Sequence, residues 1–270
     1  MITKVIINDN TQTPLSHLHK LDAFKNGKEY EFKPGINIII GRNGCGKSTL
    51  MNLIALYTLC YKKNVTKLPD DTIEMLNYFE DFGDDDEKFK DGVDVMPDYC
   101  GVVYNYITQG DVTKSNALSS VENLSLYMNN SAASTGESMI NSLGHLLDLL
   151  FKNKDVQFPI EKIKSKIEYC NDLWQERFKN MLAYYKRNQV KANEEDFEFT
   201  LLLDEPDRNL DIVNIDNIYP VLSYRRKKTQ VIAVIHNPVL IYKLSKLDYV
   251  NFIELTDNYL EDIKKVFKKL

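Results

Sequence analysis

Residues 41–48 read Gly-Arg-Asn-Gly-Cys-Gly-Lys-Ser, the pattern G-x-x-x-x-G-K-[ST]. The continuous β-branched run at 35–40 precedes it and reads as a buried strand. Residues 48–61 follow and read as a helix. A strand that passes through a glycine-rich turn into a helix leaves few alternatives. The backbone must curl until successive N–H groups face inward, and glycines permit that curl. Those N–H groups, with the positive end of the helix, favour an anion. Lys47 supplies a full cation to β- and γ-phosphates, and the Ser48 hydroxyl is placed to hold Mg²⁺. The candidate phosphate-binding residues are Asn43, Gly44, Cys45, Gly46, Lys47, Ser48 and Thr49. Cys45 has two readings: a thiol made redox-sensitive by the loop amides, or a small residue with no regulatory role.

A second apolar strand, 199–203, ends in Asp204-Glu205-Pro206. A buried parallel strand delivers its terminal carboxylates to the carboxyl edge of the sheet, where α/β proteins bind ligands. Asp204 is expected to hold Mg²⁺ through water, and Glu205 to orient or deprotonate an attacking water. Side chains alternate along a strand, so the two acids need not share a task. A third apolar strand, 231–235, ends in His236, placed to bond the γ-phosphate or that water.

Composition narrows the class. The chain has 270 residues, 43% hydrophobic and 27% charged, which gives a sizeable core and excludes global disorder. A net charge of −5 gives no global footprint for nucleic acid. The apolar runs are too short to cross a bilayer, and Val5-Ile6-Ile7 lacks the long apolar core of a secretion signal. Direct membrane insertion is therefore not expected. Cys45, Cys60, Cys100 and Cys170 form no close pair, which points to a reducing cytoplasm and away from a zinc ribbon or disulfide framework.

Further strands are expected at 5–7, at 102–104 running toward Gln109, and at 250–253. The run 80–94 is acidic and reads as a solvated loop; it lacks the ligand alternation of a calcium loop. Residues 137–151 read as a helix with Leu143, Leu146, Leu147 and Leu150 on one face. Ile163, Ile167, Cys170, Trp174, Met181 and Tyr185 mark a long amphipathic helix with a basic outer side. That side is either a solvated face or a docking surface for protein or nucleic acid. Residues 259–270 read as a basic amphipathic helix. Strands mixed with helices argue an α/β sheet wrapped by helices. Phe24, Tyr30 and Phe32 are open to two readings, as rings stacking on a nucleobase or as core.

Taken together, these residues resemble the ATP-binding-cassette (ABC) ATPase family, its soluble non-transporter branch above all. Ala133-Ser134-Thr135-Gly136-Glu137 resembles the signature loop L-S-G-G-Q, and more closely the S-x-G-E form of SMC-like and OLD-like members. Arg208-Asn209-Leu210-Asp211 resembles the S-A-L-D segment, His236 the switch histidine, and Gln109 the glutamine that reaches Mg²⁺ and water. The resemblance implies an α/β P-loop NTPase fold of ABC type: a central, mostly parallel sheet with an antiparallel β part and a helical subdomain. It implies a single domain over 1–270, with helical or variable insertions at about 62–100 and 138–197.

The implied activity is Mg²⁺-dependent ATP binding and hydrolysis. Two copies would sandwich ATP head to tail, with Ser134 and Gly136 of one facing Lys47, Ser48, Asp204, Glu205 and His236 of the other. Asp211 would cross the interface. ATP-dependent dimerisation would then control a separate effector protein or a nucleic-acid complex, as in bacterial antiphage defence. Two alternatives stay open: the ATP-binding subunit of a membrane transporter, and a DNA-repair-type ATPase using the basic helix. The short Gln109-to-Ser134 interval opposes the transporter reading.

Overall fold

The computed structural model describes residues 1–7, 20–25, 27–57, 93–97, 102–107, 199–208, 210–224 and 229–269. In chain order they form β1 (Ile2–Ile7), β2 (Glu29–Glu31), β3 (Ile36–Ile40), α1 (Lys47–Tyr57), β4 (Val93–Pro97), β5 (Val102–Ile107) and β6 (Phe199–Asp204). Then follow α2 (Ile212–Ser223), β7 (Thr229–Val234), α3 (Pro238–Leu244), β8 (Val250–Glu254) and α4 (Tyr259–Lys268). The expected helices at 137–151 and 163–185 lie outside the described residues.

The apolar runs assemble into a five-stranded sheet of order β5-β6-β7-β3-β8, and every pairing in it is parallel. Residues Ile36–Ile40 and Thr229–Val234 are buried throughout, as expected of strands covered on both faces. Ile38 faces Ala233 on one side and Phe252 on the other. Helix α1 buries Leu50, Met51, Leu53 and Ile54, a three-to-four spacing that makes one apolar stripe. Helix α3 starts where Asn237 caps the N–H groups of Val239 and Leu240 and Pro238 occupies the first turn. It buries Leu240, Ile241 and Leu244, and Tyr242 stacks on Phe267 of α4 with ring centroids 4.7 Å apart. No helix among the described residues is long and apolar enough to cross a membrane.

A second, antiparallel sheet has the order β2-β1-β4. It corrects one expectation. The acidic stretch 80–94 does not stay a loop to its end, because Asp94 sits in β4 opposite Ile6. The alternation Val93-Asp94-Val95 is a strand signal masked by the acids before it. In β2, buried Tyr30 sits between exposed Glu29 and Glu31, an alternation too short to stand out from the polar sequence around it.

Buried carboxamides join the two sheets. Gln230 of β7 is fully buried, and its Oε1 accepts from Ile2 N at 2.7 Å and Thr200 Oγ1 at 2.9 Å. Its Nε2 donates to Ile2 O at 2.7 Å and Lys33 O at 3.0 Å. Asn37, also fully buried, accepts from Lys33 N and donates to Lys33 O, both at 2.8 Å. Asn251 donates to Asn37 Oδ1 at 3.0 Å and to Glu31 O at 3.0 Å. These amides satisfy backbone groups where the chain crosses between sheets, since an orphaned buried polar group is costly. Gln230→Leu keeps the volume and strands four polar groups. It should lower unfolding free energy by about 3 kcal/mol in urea titrations, and a loss below about 1 kcal/mol would show that the junction does not depend on this amide.

Candidate nucleotide-binding site

Because β3, β6, β7 and β8 run in parallel, their ends open onto one edge of the sheet. The order matters. Strand β7 lies between β3, which leads into the glycine loop, and β6, which ends in the acids. His236, just past β7, therefore falls between loop and acids.

The loop takes the conformation its glycines permit. Gly44 and Gly46 have φ of +77° and +101°. At Gly46 a Cβ would also stand 2.5 Å from Phe24 Cε2. The turn is closed by Cys45 N donating to Arg42 O at 3.3 Å, and α1 begins with Leu50 N donating to Gly46 O at 2.9 Å. Lys47 is only 3% exposed, and its Nζ donates to Gly41 O at 2.8 Å and Arg42 O at 2.9 Å. Burial pushes this ammonium below the usual lysine range, and Cys45, Glu205, Asp204 and Asp207 pull it back up.

Ser48 donates its hydroxyl to Asp204 Oδ1 at 3.1 Å. This pairs the first turn of α1 with the end of β6, and brings two hard oxygen donors of the kind Mg²⁺ prefers to one place. Among the described residues no group of three or more His, Cys, Asp or Glu side chains could hold a metal by itself.

Glu205 is held in an unusual posture. Its φ is +51°, in the left-handed region that side-chain-bearing residues avoid. Its N–H donates to Val234 O at 3.1 Å, tying it to the end of β7. Arg208 Nη1 donates to its Oε2 at 3.1 Å. His236 Nε2 stands 2.9 Å from its Oε1, in ion-pair range but off the line of a hydrogen bond. The other imidazole nitrogen, Nδ1, is 3.2 Å from Asn43 Oδ1 of the loop. The imidazole thus bridges the glycine loop and the acid turn.

Two further residues of the site, Asp207 and Arg208, have no role assigned from the sequence. Asp207 is 4% exposed, and its Oδ2 accepts from His236 N at 2.8 Å and Asn237 N at 2.5 Å. Burial pushes its carboxyl up, against those backbone N–H groups and the nearby His236. Nothing in an acid following a strand end signals such a tie. Arg208 entered the sequence analysis only as part of the segment that resembles S-A-L-D.

Beside the loop lies a cleft of about 610 Å³, lined in part by Leu21, Ala23, Arg42, Gly44, Leu255 and Thr256. Thr256 Oγ1 accepts from Arg42 N at 3.2 Å, so the turn after β8 braces the loop. Of the two readings for the aromatic residues, core is the one the structure supports. Phe24, Tyr30 and Phe32 are 1%, 8% and 5% exposed. Tyr30 donates its hydroxyl to Ala23 O at 2.6 Å, and burial pushes its phenol up to about 12.

Asp211 caps α2, its carboxylate accepting from Asn214 N at 2.8 Å. Ile212 and Val213, the next two residues, are 70% and 68% exposed. Gln109, Ser134 and Gly136 lie outside the described residues.

No curated protein matches the chain. Among solved structures, the Smc head domain with an extended coiled coil, bound to the C-terminal domain of ScpA and derived from Pyrococcus furiosus, is 14% identical over 99% of this chain and 98% of that one, at a TM-score of 0.38. A nucleotide-free ATP-binding cassette from an ABC transporter is 14% identical over 98% and 96%, at 0.37. An Smc head bound to the C-winged helix domain of ScpA is 13% identical over 93% of each chain, at 0.36. The family model for AAA_23, an AAA domain, matches residues 17–269, nearly the whole length, and the chain belongs to that family.

Proposed function

We propose that the chain is a Mg²⁺-dependent ATPase whose hydrolytic site is the carboxyl edge of the parallel sheet. One observation carries the reading: Lys47, the Ser48–Asp204 pair and the Glu205–His236 pair, drawn from three separate strand ends, converge there. A structural ion cluster has no need of a glycine-turned cradle beside it.

Each residue then has a task. Lys47 exchanges the carbonyls of Gly41 and Arg42 for phosphate oxygens, which carry more negative charge. Backbone N–H groups from Asn43 to Thr49 line the cradle. Ser48 and Asp204 hold Mg²⁺, which neutralises charge on the β- and γ-phosphates when bound. Glu205 accepts the proton of the water whose oxygen attacks the γ-phosphorus, while the bond to the bridging oxygen breaks. His236, steadied by Asn43, keeps that carboxylate and the γ-phosphate in register. The cleft beside Arg42 and Thr256 receives the nucleoside.

The reading extends to a head-to-tail dimer. Ser134 and Gly136 of a second copy, with Gln109 at the metal, would complete the site, as the resemblance to ABC ATPases implies. The exposed Ile212 and Val213 beside Asp211 support a contact surface at this point, since neighbouring large apolar side chains gain by leaving water. ATP touches both copies only when they close, so its hydrolysis would release them. In a cytoplasmic setting, such a switch would control an effector protein or nucleic-acid complex, antiphage defence included.

The deciding experiment is sizing of Glu205→Gln with and without ATP and Mg²⁺. The variant should bind ATP, lose turnover by at least about 100-fold and run as a dimer only with nucleotide. A monomer that still binds ATP would overturn the sandwich. Lys47→Ala should lose nucleotide affinity, read with a fluorescent ATP analogue; unchanged affinity would remove the phosphate-loop assignment. The left-handed backbone at Glu205 has its own signature. Glu205→Gly should be inactive yet more stable by about 1 kcal/mol, whereas Glu205→Val should lose at least as much, as thermal unfolding would register.

A further inference from the structure

Asp207 holds a carboxylate almost out of water in the turn that follows β6. Only one of its oxygens is used. Oδ2 takes the backbone N–H groups of His236 and Asn237, while Oδ1 is buried with no hydrogen-bond partner among the described residues. A neutral acceptor could serve the same two amides without the cost of burying a charge. What a carboxylate adds is a charge-assisted grip on two successive amides, shorter and stronger than a neutral one.

That grip joins two particular turns. On one side is the turn of Glu205, closed by Arg208 N donating to Glu205 O at 3.1 Å and Leu210 N donating to Asp207 O at 3.3 Å. On the other is the turn that carries the imidazole facing Glu205 Oε1. The backbone bond from Glu205 N to Val234 O ties the same turns at a second point. Two ties fix a relative orientation where one would leave a hinge.

We propose that Asp207 is a positioning residue for turnover: its carboxylate locks the His236 turn to the Glu205 turn and so sets where the imidazole stands against the catalytic carboxylate. This rests on the ATPase reading above. Asp207 acts through His236: its charge reaches Lys47 only through space, and Lys47 and Ser48 donate their hydrogen bonds to other groups.

The test uses the full chain carrying Asp207→Ala, Asp207→Asn, His236→Ala and the Asp207→Ala/His236→Ala pair. Steady-state ATP turnover, binding of a fluorescent ATP analogue, and amide exchange in the peptide spanning His236 and Asn237 are measured for each. Asp207→Ala should lower kcat on the order of 10- to 100-fold, with KM and analogue affinity within about threefold of wild type. Asp207→Asn, which keeps an oxygen for both amides but not the charge, should recover part of that loss. The paired variant should be no slower than His236→Ala alone, because the effect passes through the imidazole. Exchange at the two amides should quicken at least about tenfold in Asp207→Ala.

Wild-type kcat in Asp207→Ala, multiplying losses in the paired variant, unchanged exchange, or a parallel fall in kcat, affinity and melting temperature would each overturn the proposal. A wild-type chain that binds ATP without hydrolysing it would overturn the ATPase reading and this role with it. Faster exchange in that case would leave Asp207 a tether of the fold alone.

Discussion

A lysine taken out of water governs the layout of this molecule. The ammonium of a lysine residue only 3% exposed is disfavoured unless oxygen atoms surround it. Two carbonyls of its own loop meet Lys47 directly, and Asp204, Glu205 and Asp207 contribute negative potential from the turn after β6. Burial still prevails over them, so the cation is poised to gain from a more strongly charged partner. Site and fold are in this sense one arrangement. The acids that make sense chemically are also those that make the buried cation tolerable.

Keeping those groups together is the work of the opposite end of the sheet. Gln230, Asn37 and Asn251 sit where the chain passes between the antiparallel and parallel sheets, and each serves backbone groups as well as neighbouring side chains. With that edge pinned by hydrogen bonds and the middle packed with Ile, Leu and Val, the strand ends at the other edge have little freedom. The polar residues beyond them inherit their positions from the register, in which Leu203 pairs with Ala233 and Ile39 with Val234.

How much of this could be read in advance depends on how local the signal is. The conformation of the glycine loop was legible because glycine spacing and a lysine encode it within nine residues of chain. Asp204, Glu205 and His236 were legible because each ends an apolar run. The strand order was not, since nothing in 231–235 says that it pairs with both 36–40 and 199–204. Asp207 was missed for the same reason: its meaning lies in two amides far along the chain, and an acid in a turn is otherwise unremarked. Helix α2 went unseen because it begins with exposed Ile212 and Val213 and contains Pro220, which blur the helical period. Strand β2 is three residues long, too short for any period to register.

The contact between Phe24 and the loop carries a consequence of its own. The ring lies where a side chain on Gly46 would have to go, and at 1% exposure it has nowhere to retreat. The short helical turn Asp22–Phe24 is therefore the floor on which the glycine loop rests. Damage to that floor, however remote in sequence from Lys47, would surface as weakened nucleotide affinity before it surfaced as unfolding, and a screen for binding defects would recover residues that never meet the ligand.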